Sequence, residues 1–371
     1  MNRKKFLAVA GGTIVVAGVT YYLSSDKSNF TRLDTQQKDV TKVPLTRDET
    51  EILYLASLAP SGRNAQPWFV KYIDTYHWII GNDKSKWLNG VDPTQRETIL
   101  SIGAFLQNLE YAANHLGYAC ELKLLAKSNQ DEDIMEVKLS KSSHVSDFDI
   151  EKIKLRRTIR TNYVNDILKP EDVSYLINDA SRFINYLPNT SKEHQYLNEQ
   201  TIESNKIQSY RDDAQRELAD WIRFSSADAQ KHRDGLTMAS MEIAGASAWV
   251  LRNFYSKQNV MTTNFRNQNI DNVKKEVAQS AGWFLITSED NSVASLIETG
   301  RRFQRLWLKV RDRNIAIHPM TQILEEPKTN QVLNQYLGVK EPIQFILHTS
   351  YVKNYPKPVS LRRSVDAFVR T

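Results

Sequence analysis

The chain has 371 residues and a mass of 42.7 kDa, with 49 Lys plus Arg against 43 Asp plus Glu and a formal charge of +6. Its composition, 41% apolar and 25% charged, is that of a globular protein of two lobes or one large domain and excludes a disordered or collagen-like chain. The single Cys120 excludes an intrachain disulfide framework and any four-cysteine metal site, and the small, well-mixed positive excess leaves no nucleic-acid footprint.

At the start, Arg3, Lys4 and Lys5 precede an uncharged stretch over 6–23. As a helix it would span about 27 Å, the short end of what crosses a bilayer. An N-terminal anchor, a cleaved signal and a buried helix are the three readings. Tyr21-Tyr22-Leu23 offers no small-x-small cleavage pattern and resembles an aromatic interface belt, which tips the balance toward an anchor. With the basic flank cytoplasmic, everything from Ser24 onward would lie on the exported side of the membrane, anchored or periplasmic. Residues 24–45 are polar and read as a tether.

A first lobe is expected over 46–148. Thr46 is a candidate N-cap with Glu49 three residues on, opening a helix with Ile52, Leu53, Ala56 and Leu58 that Pro60 ends. Trp68 to Ile73 and His77 to Ile80 predict a hairpin. Asp92-Pro93 marks the start of a helix to Leu116, stopped by Gly117, and strands follow at Cys120 to Leu125 and Ile134 to Leu139. A second lobe is expected over 149–371. It holds a helix from Pro170 to about Ala180, a polar helical region from Ser191 to Ala219 that reads as a lid near 190–235, and an apolar helical pattern through Met238, Met241, Ile243, Trp249 and Phe254. A strand at Trp283 to Thr287, a helix at Val293 to Val310 and a strand at Ile343 to His348 complete an α+β fold. The helix with Gly103, Gln107 and Leu109 can be laid over the one with Gly300, Gln304 and Leu306, which suggests duplication.

Two segments carry candidate chemistry. Pro60-Ser61-Gly62-Arg63-Asn64-Ala65-Gln66-Pro67-Trp68 braces a hydroxyl and two amides between prolines, either as equipment for reading a planar heterocycle by its edge or as an ordinary helix-to-strand turn. Arg156-Arg157-Thr158-Ile159-Arg160, taken with Arg362-Arg363, supplies planar donor forks and a hydroxyl that suit a phosphate monoester; a solvated basic face is the alternative. There is no Walker A, GxGxxG, Gly-x-Ser-x-Gly or His-Glu-x-x-His pattern, and Cys120 reads as an inert core thiol.

Together these segments resemble the FMN-binding signatures of the nitroreductase-like flavoprotein family. Their order, loop first and basic segment about ninety residues later, resembles its fused, two-lobed Acg-like branch, as do the stretches 92–121, 221–236 and 300–322. The resemblance implies a nitroreductase-like fold duplicated within one chain, a monomeric pseudo-dimer whose two central antiparallel sheets are flanked by helices and whose FMN pocket lies between the lobes. It places Ser61, Asn64 and Gln66, with Arg63 in the same loop, near the flavin ring and ribityl chain. Arg156, Thr158 and Arg160, with Arg157 among them, would meet the phosphate, and Arg362 or Arg363 would close it. Gln304 and a His318-Pro319-Met320 turn would line the ring side, although His318 reads equally as a structural histidine. The activity implied is transfer of hydride or electrons through flavin from an unidentified donor to a small acceptor; the alternative is a non-catalytic flavin-storing, sequestering or sensing protein. Flavin carries such chemistry itself, so no catalytic acid or base is required.

Overall fold

The structure, a computed structural model, describes residues 43–143 and 145–371. Helix α1 (Arg47–Ser57) opens on the expected capping box: the Thr46 hydroxyl accepts from the Glu49 N–H, and the Glu49 carboxylate accepts from the Thr46 N–H. The buried Glu49 also accepts from the Tyr76 N–H at 2.7 Å and the Trp78 indole at 3.2 Å. One carboxylate thereby ties the helix to the hairpin of β1 (Trp68–Asp74) and β2 (His77–Asn82). Helix α2 (Arg96–His115) begins later than the Asp92-Pro93 signal suggests, because Gln95 takes a left-handed φ of 58°. Asp92 still caps it, accepting from the N–H groups of Arg96, Glu97 and Thr98. Strands β3 (Tyr118–Leu124) and β4 (Asp133–Lys141) follow. Cys120 lies on β3 and burial pushes its thiol up to about 12, so it stays protonated.

The remaining elements are α3 (Glu151–Leu155), β5 (Tyr163–Val164), α4 (Pro170–Ile177), β6 (Ile184–Pro188), α5 (Lys192–Tyr210), α6 (Asp212–Trp221), α7 (Ser226–His232), α8 (Gly245–Phe254), α9 (Lys257–Val260), α10 (Thr263–Val277), β7 (Gly282–Thr287), α11 (Val293–Val310), β8 (Ile315–Pro319), α12 (Gln322–Glu325), α13 (Pro327–Leu337), β9 (Ile343–Val352) and β10 (Val369–Arg370). The apolar pattern from Met238 to Phe254 is helical only from Gly245 onward, and the expected His318-Pro319 turn is the end of a strand, paired with His348 and Leu347.

Two sheet-plus-helix lobes result, the duplicated nitroreductase-like α+β arrangement. One sheet runs β10-β1-β2-β4-β3; in the other, β9 pairs with β7, β8 and β5, and β7 with β6. All pairs are antiparallel except β1 with β10. Strand β10 comes from the far end of the chain, so the segment after β9 returns to complete the first sheet, with Val369 beside Val70.

The lobes meet along α2 and α11, and here the repeated glycines face each other. A Cβ on Gly103 would lie 2.3 Å from the Ile297 carbonyl oxygen, and one on Gly300 would lie 2.0 Å from that of Leu100. Polar side chains flank the crossing: Gln304 donates to Asn108 at 2.7 Å, Arg305 to Gln107 at 2.8 Å and Arg301 to Glu110 at 2.7 Å. One apolar core, including Phe105 and Leu106 from α2 and Phe303 and Trp307 from α11, runs across the seam.

The expectation of membrane attachment is corrected. Among the described residues no helix is long and apolar enough to cross a membrane, and the stretch over 6–23 on which that expectation rested lies outside them. An anchored or periplasmic location, and a membrane as partner, therefore have no support here.

A buried imidazole gives the fold a pH dependence. His348 on β9 is fully buried between Tyr163 and Trp283, and neither ring nitrogen has a hydrogen-bond partner among the described residues. Burial, with a smaller push from His194, holds its pKa down to about 3 from an ordinary 6.5. The unfolded chain thus takes up a proton that the folded chain refuses. Its contribution is complete above the unfolded value and is lost by about 1.4 kcal/mol per pH unit as pH falls toward the folded one. Glu276, whose pKa burial raises to about 7, acts in the opposite direction over part of that range. The difference between variants therefore isolates the histidine. His348→Phe is expected to lose less stability than the parent between about pH 7 and about pH 5, measured as urea midpoints; equal losses would contradict this.

Candidate functional site

Between the lobes lies a cavity of about 820 Å³, within the roughly 300–1,000 Å³ typical of ligand pockets. Its walls draw on segments far apart in the chain. Ser61, Arg63 and Asn64 come from the loop after α1, Arg156, Arg157, Thr158 and Arg160 from the basic segment, and Arg362 from the C-terminal return. Phe303 and Trp307 of α11 and Phe345 of β9 supply aromatic surface.

The loop is held open by backbone geometry that side chains rarely adopt: Arg63, Asn64 and Gln66 all have φ between 47° and 56°. Its side chains maintain it. The Ser61 hydroxyl accepts from the Gln66 N–H at 2.9 Å, Asn64 donates to the carbonyls of Gly235 and Leu361, and Arg63 pairs with Glu217. Gln66 is fully buried off the cavity wall; it donates to the Arg233 carbonyl and accepts from the Arg363 N–H.

The arginines divide in the same way. Arg156 stacks over Trp307, 4.6 Å from the ring centroid, and donates to the Leu58 carbonyl at 3.0 Å. Arg362 is buried and donates to the carbonyls of Ser57 and Ala59 and to the Asn64 amide oxygen. Arg363 lies off the wall and donates to the carbonyls of Gln66 and Trp68; burial brings its pKa down to about 10. Gln304 also lies off the wall, in the helix seam. His318, Pro319 and Met320 do line the cavity. Burial, reinforced by Arg160 and His348, drives the His318 pKa well below its ordinary value, and its Nδ1 is 3.5 Å from a Glu276 oxygen. These directions describe a neutral imidazole beside a Glu276 carboxyl that burial makes easier to protonate than usual.

Sequence reasoning missed Glu242, which sits in the apolar run between Met241 and Ile243 at a left-handed φ of 59°. Its carboxylate accepts from the N–H groups of Arg160 and Thr161, from the Thr161 hydroxyl and from the Arg157 guanidinium. The Arg160 guanidinium donates to the Ser240 carbonyl at 2.6 Å. The segment around 240–242 is thereby bound to the outer edge of the basic loop. An isolated acid in an apolar run was the available signal. Trp307 was likewise hidden, as one more apolar position of an amphipathic helix.

No protein-family model matches the chain. A curated protein from Serratia sp. (strain ATCC 39006), "Probable NAD(P)H nitroreductase PigM", is 23% identical over 288 residues, covering 73% of this chain and 79% of its own length. Among solved structures, the FMN-dependent nitroreductase NfnB from Mycobacterium smegmatis in complex with NADPH is 15% identical, with a TM-score of 0.37 over 60% of this chain and 96% of its own. A nitroreductase-like family protein from Bacillus cereus is 12% identical, with a TM-score of 0.30 over 56% of this chain and 87% of its own. Structural similarity of this degree says nothing of ligand or activity. The sequence relationship is a distant similarity to a protein named as a nitroreductase.

Proposed function

We propose that the chain binds FMN in the cavity between its lobes and is an oxidoreductase of the fused, Acg-like kind, passing hydride or electrons from a nicotinamide donor to a small acceptor. The observation that carries this reading is the convergence of Ser61, Asn64, Arg156, Thr158 and Arg160 on one cavity from segments about ninety residues apart. The donor set fits the group. Guanidinium forks and a hydroxyl match a phosphate monoester, and neutral hydroxyl and amide groups beside aromatic carbon match a planar heterocycle. The name of the Serratia relative supports NAD(P)H as the donor.

Arg156, placed over the Trp307 ring and tied to the end of α1, would orient the phosphate with Thr158 and Arg160. Ser61 and Asn64 would face the ring and its side chain from the first lobe. Bound flavin supplies the redox chemistry, and the protein's part is to bind, orient and exclude water. The test reads a ratio, because a variant can weaken the whole pocket. Wild type is expected to bind FMN at least about tenfold more tightly than riboflavin. Arg156→Ala and Arg160→Ala should each move that ratio toward one. Equal affinity for the two flavins in the wild type would sink the assignment of the basic loop, and no flavin binding at all would sink the reading.

A second reading, flavin sequestration, is favoured by the Glu242 and Ser240 contacts that fasten the 240–242 segment onto the basic loop. Anaerobic bleaching of bound flavin by NADH or NADPH, followed by reoxidation by a quinone or nitroarene, separates the two. Sequestration predicts tight binding without turnover.

A further inference from the structure

One part of the cavity wall belongs to a core of its own. Ala219, Ile222, Met238, Ala248 and Val260 form a small apolar cluster, separate from the core that runs across the seam. Six further apolar side chains pack on it: Leu218 of α6, Phe224, Met241, Ile243, Leu251 of α8 and Phe265 of α10. All six line the cavity, and all six are only half-buried. Apolar surface gathered in a recess and left in contact with water is the mark of a ligand-binding groove.

The chain does not close this space by collapse, because the frame around it is pinned. Gln215 of α6 donates to the Val260 carbonyl at the end of α9 at 2.7 Å, and Lys257 pairs with Asp220 at 2.6 Å. Arg266 of α10 donates to the Ser209 carbonyl near the end of α5 and to Asp212 at the start of α6. Glu242 holds the stretch with Met241 and Ile243 on the basic loop. Leu88 and Leu100 of the first lobe line the same cavity, so the space lies between walls and takes a small molecule, not a protein face.

Helix α10 adds a polar end. Phe265, Gln268 and Asn272 follow at spacings of three and four residues on one helix face, and all three line the cavity. The Gln268 and Asn272 side chains are exposed and make no hydrogen bond to other described residues, whereas the neighbouring Asn269 donates to Ser209. A side-chain amide is uncharged and both donates and accepts, so its match is a hydroxyl, carbonyl or amide.

We propose that this part of the cavity is a compartment for a small molecule with an apolar alkyl or aryl-alkyl body and one uncharged polar end. The body is seated on Leu218, Met241, Ile243, Leu251 and Phe265, and the end meets Gln268 and Asn272. The unbranched thioether of Met241 lets the seat follow the shape of the body. The compartment stands whether or not flavin occupies the arginine loop, and its test uses the full-length chain without flavin.

Calorimetric titration with 4-alkylphenols from ethyl to octyl is expected to show one saturable site. Affinity should rise by about fourfold per added methylene and level off once the body fills the compartment. Met241→Gln, close to isosteric, and Leu251→Gln should each weaken 4-octylphenol binding at least about fivefold, with urea midpoints near that of wild type. Phe254→Gln, 66% exposed on α8 and off the cavity wall, should leave binding unchanged. The affinity ratio of 4-pentylphenol to its methyl ether, 4-pentylanisole, should fall at least about threefold when Gln268→Leu and Asn272→Leu are combined. Absence of saturable binding, an affinity independent of chain length, or equal losses in Met241→Gln and Phe254→Gln overturns the compartment. An unchanged phenol-to-ether ratio overturns its polar end. Failure of the flavin reading would appear separately, in the FMN-to-riboflavin ratio.

Discussion

Gly300→Leu is expected to lower the stability of the whole chain by about 3 kcal/mol or more, at or beyond the upper end of ordinary overpacking. The reason is that the obstruction is backbone. A Cβ at this position would meet the Leu100 carbonyl oxygen at 2.0 Å, and the facing Gly103 would meet that of Ile297 at 2.3 Å. A flexible side chain could swing aside, whereas a carbonyl inside a helix can yield only if the two helices separate. Separation would pull apart the Gln304–Asn108 and Arg305–Gln107 bonds and the apolar core shared across the seam. Urea denaturation should show a lowered midpoint, and a single wild-type transition should give way to two as the lobes uncouple. An unchanged midpoint would mean that the helix crossing is looser than its geometry indicates.

Arg362→Ala is expected to cost about 3 kcal/mol. This guanidinium, buried on the return of the chain to the first lobe, donates to the carbonyls of Ser57 and Ala59 at the C-terminal end of α1 and to the Asn64 amide oxygen. The last carbonyls of a helix have no partner within it, and the negative end of the helix dipole lies there. A cation brought from about three hundred residues away satisfies both needs. Its removal leaves buried carbonyls bare and releases the loop that carries Ser61 and Asn64. Arg362→Lys should recover only a minor part, because one ammonium cannot serve the three directions that the planar fork serves. A thermal or urea midpoint within error of wild type for Arg362→Ala would refute the clamp.

These two positions also indicate what was legible beforehand. The spacing of Gly103 with Gln107 and of Gly300 with Gln304 could be read as a repeat, and the fold places both on the helix pair that joins the lobes. The resemblance sets Gln304 itself beside a flavin ring. It faces Asn108 instead, because a four-residue spacing puts the glutamine on the same helix face as the glycine, and that face is the seam. Arg362 and Arg363 were recognisable as a basic pair, but only packing separates them. Arg362 reaches the cavity wall and Arg363 turns under the loop to the Gln66 and Trp68 carbonyls.

The capping box at Thr46 and Glu49, the hairpin and the two long amphipathic helices rest on interactions within a few residues or on a simple period, and local sequence is enough to specify those. The cavity is of another kind. Glu242 closing on Arg157 and Thr161, Thr321 bridging Glu97 and Glu325, and β10 crossing back to β1 each join residues from about eighty to more than two hundred positions apart. No local propensity distinguishes these residues from solvated neighbours of the same type. Their partners and their burial exist only once the lobes have packed together and excluded water.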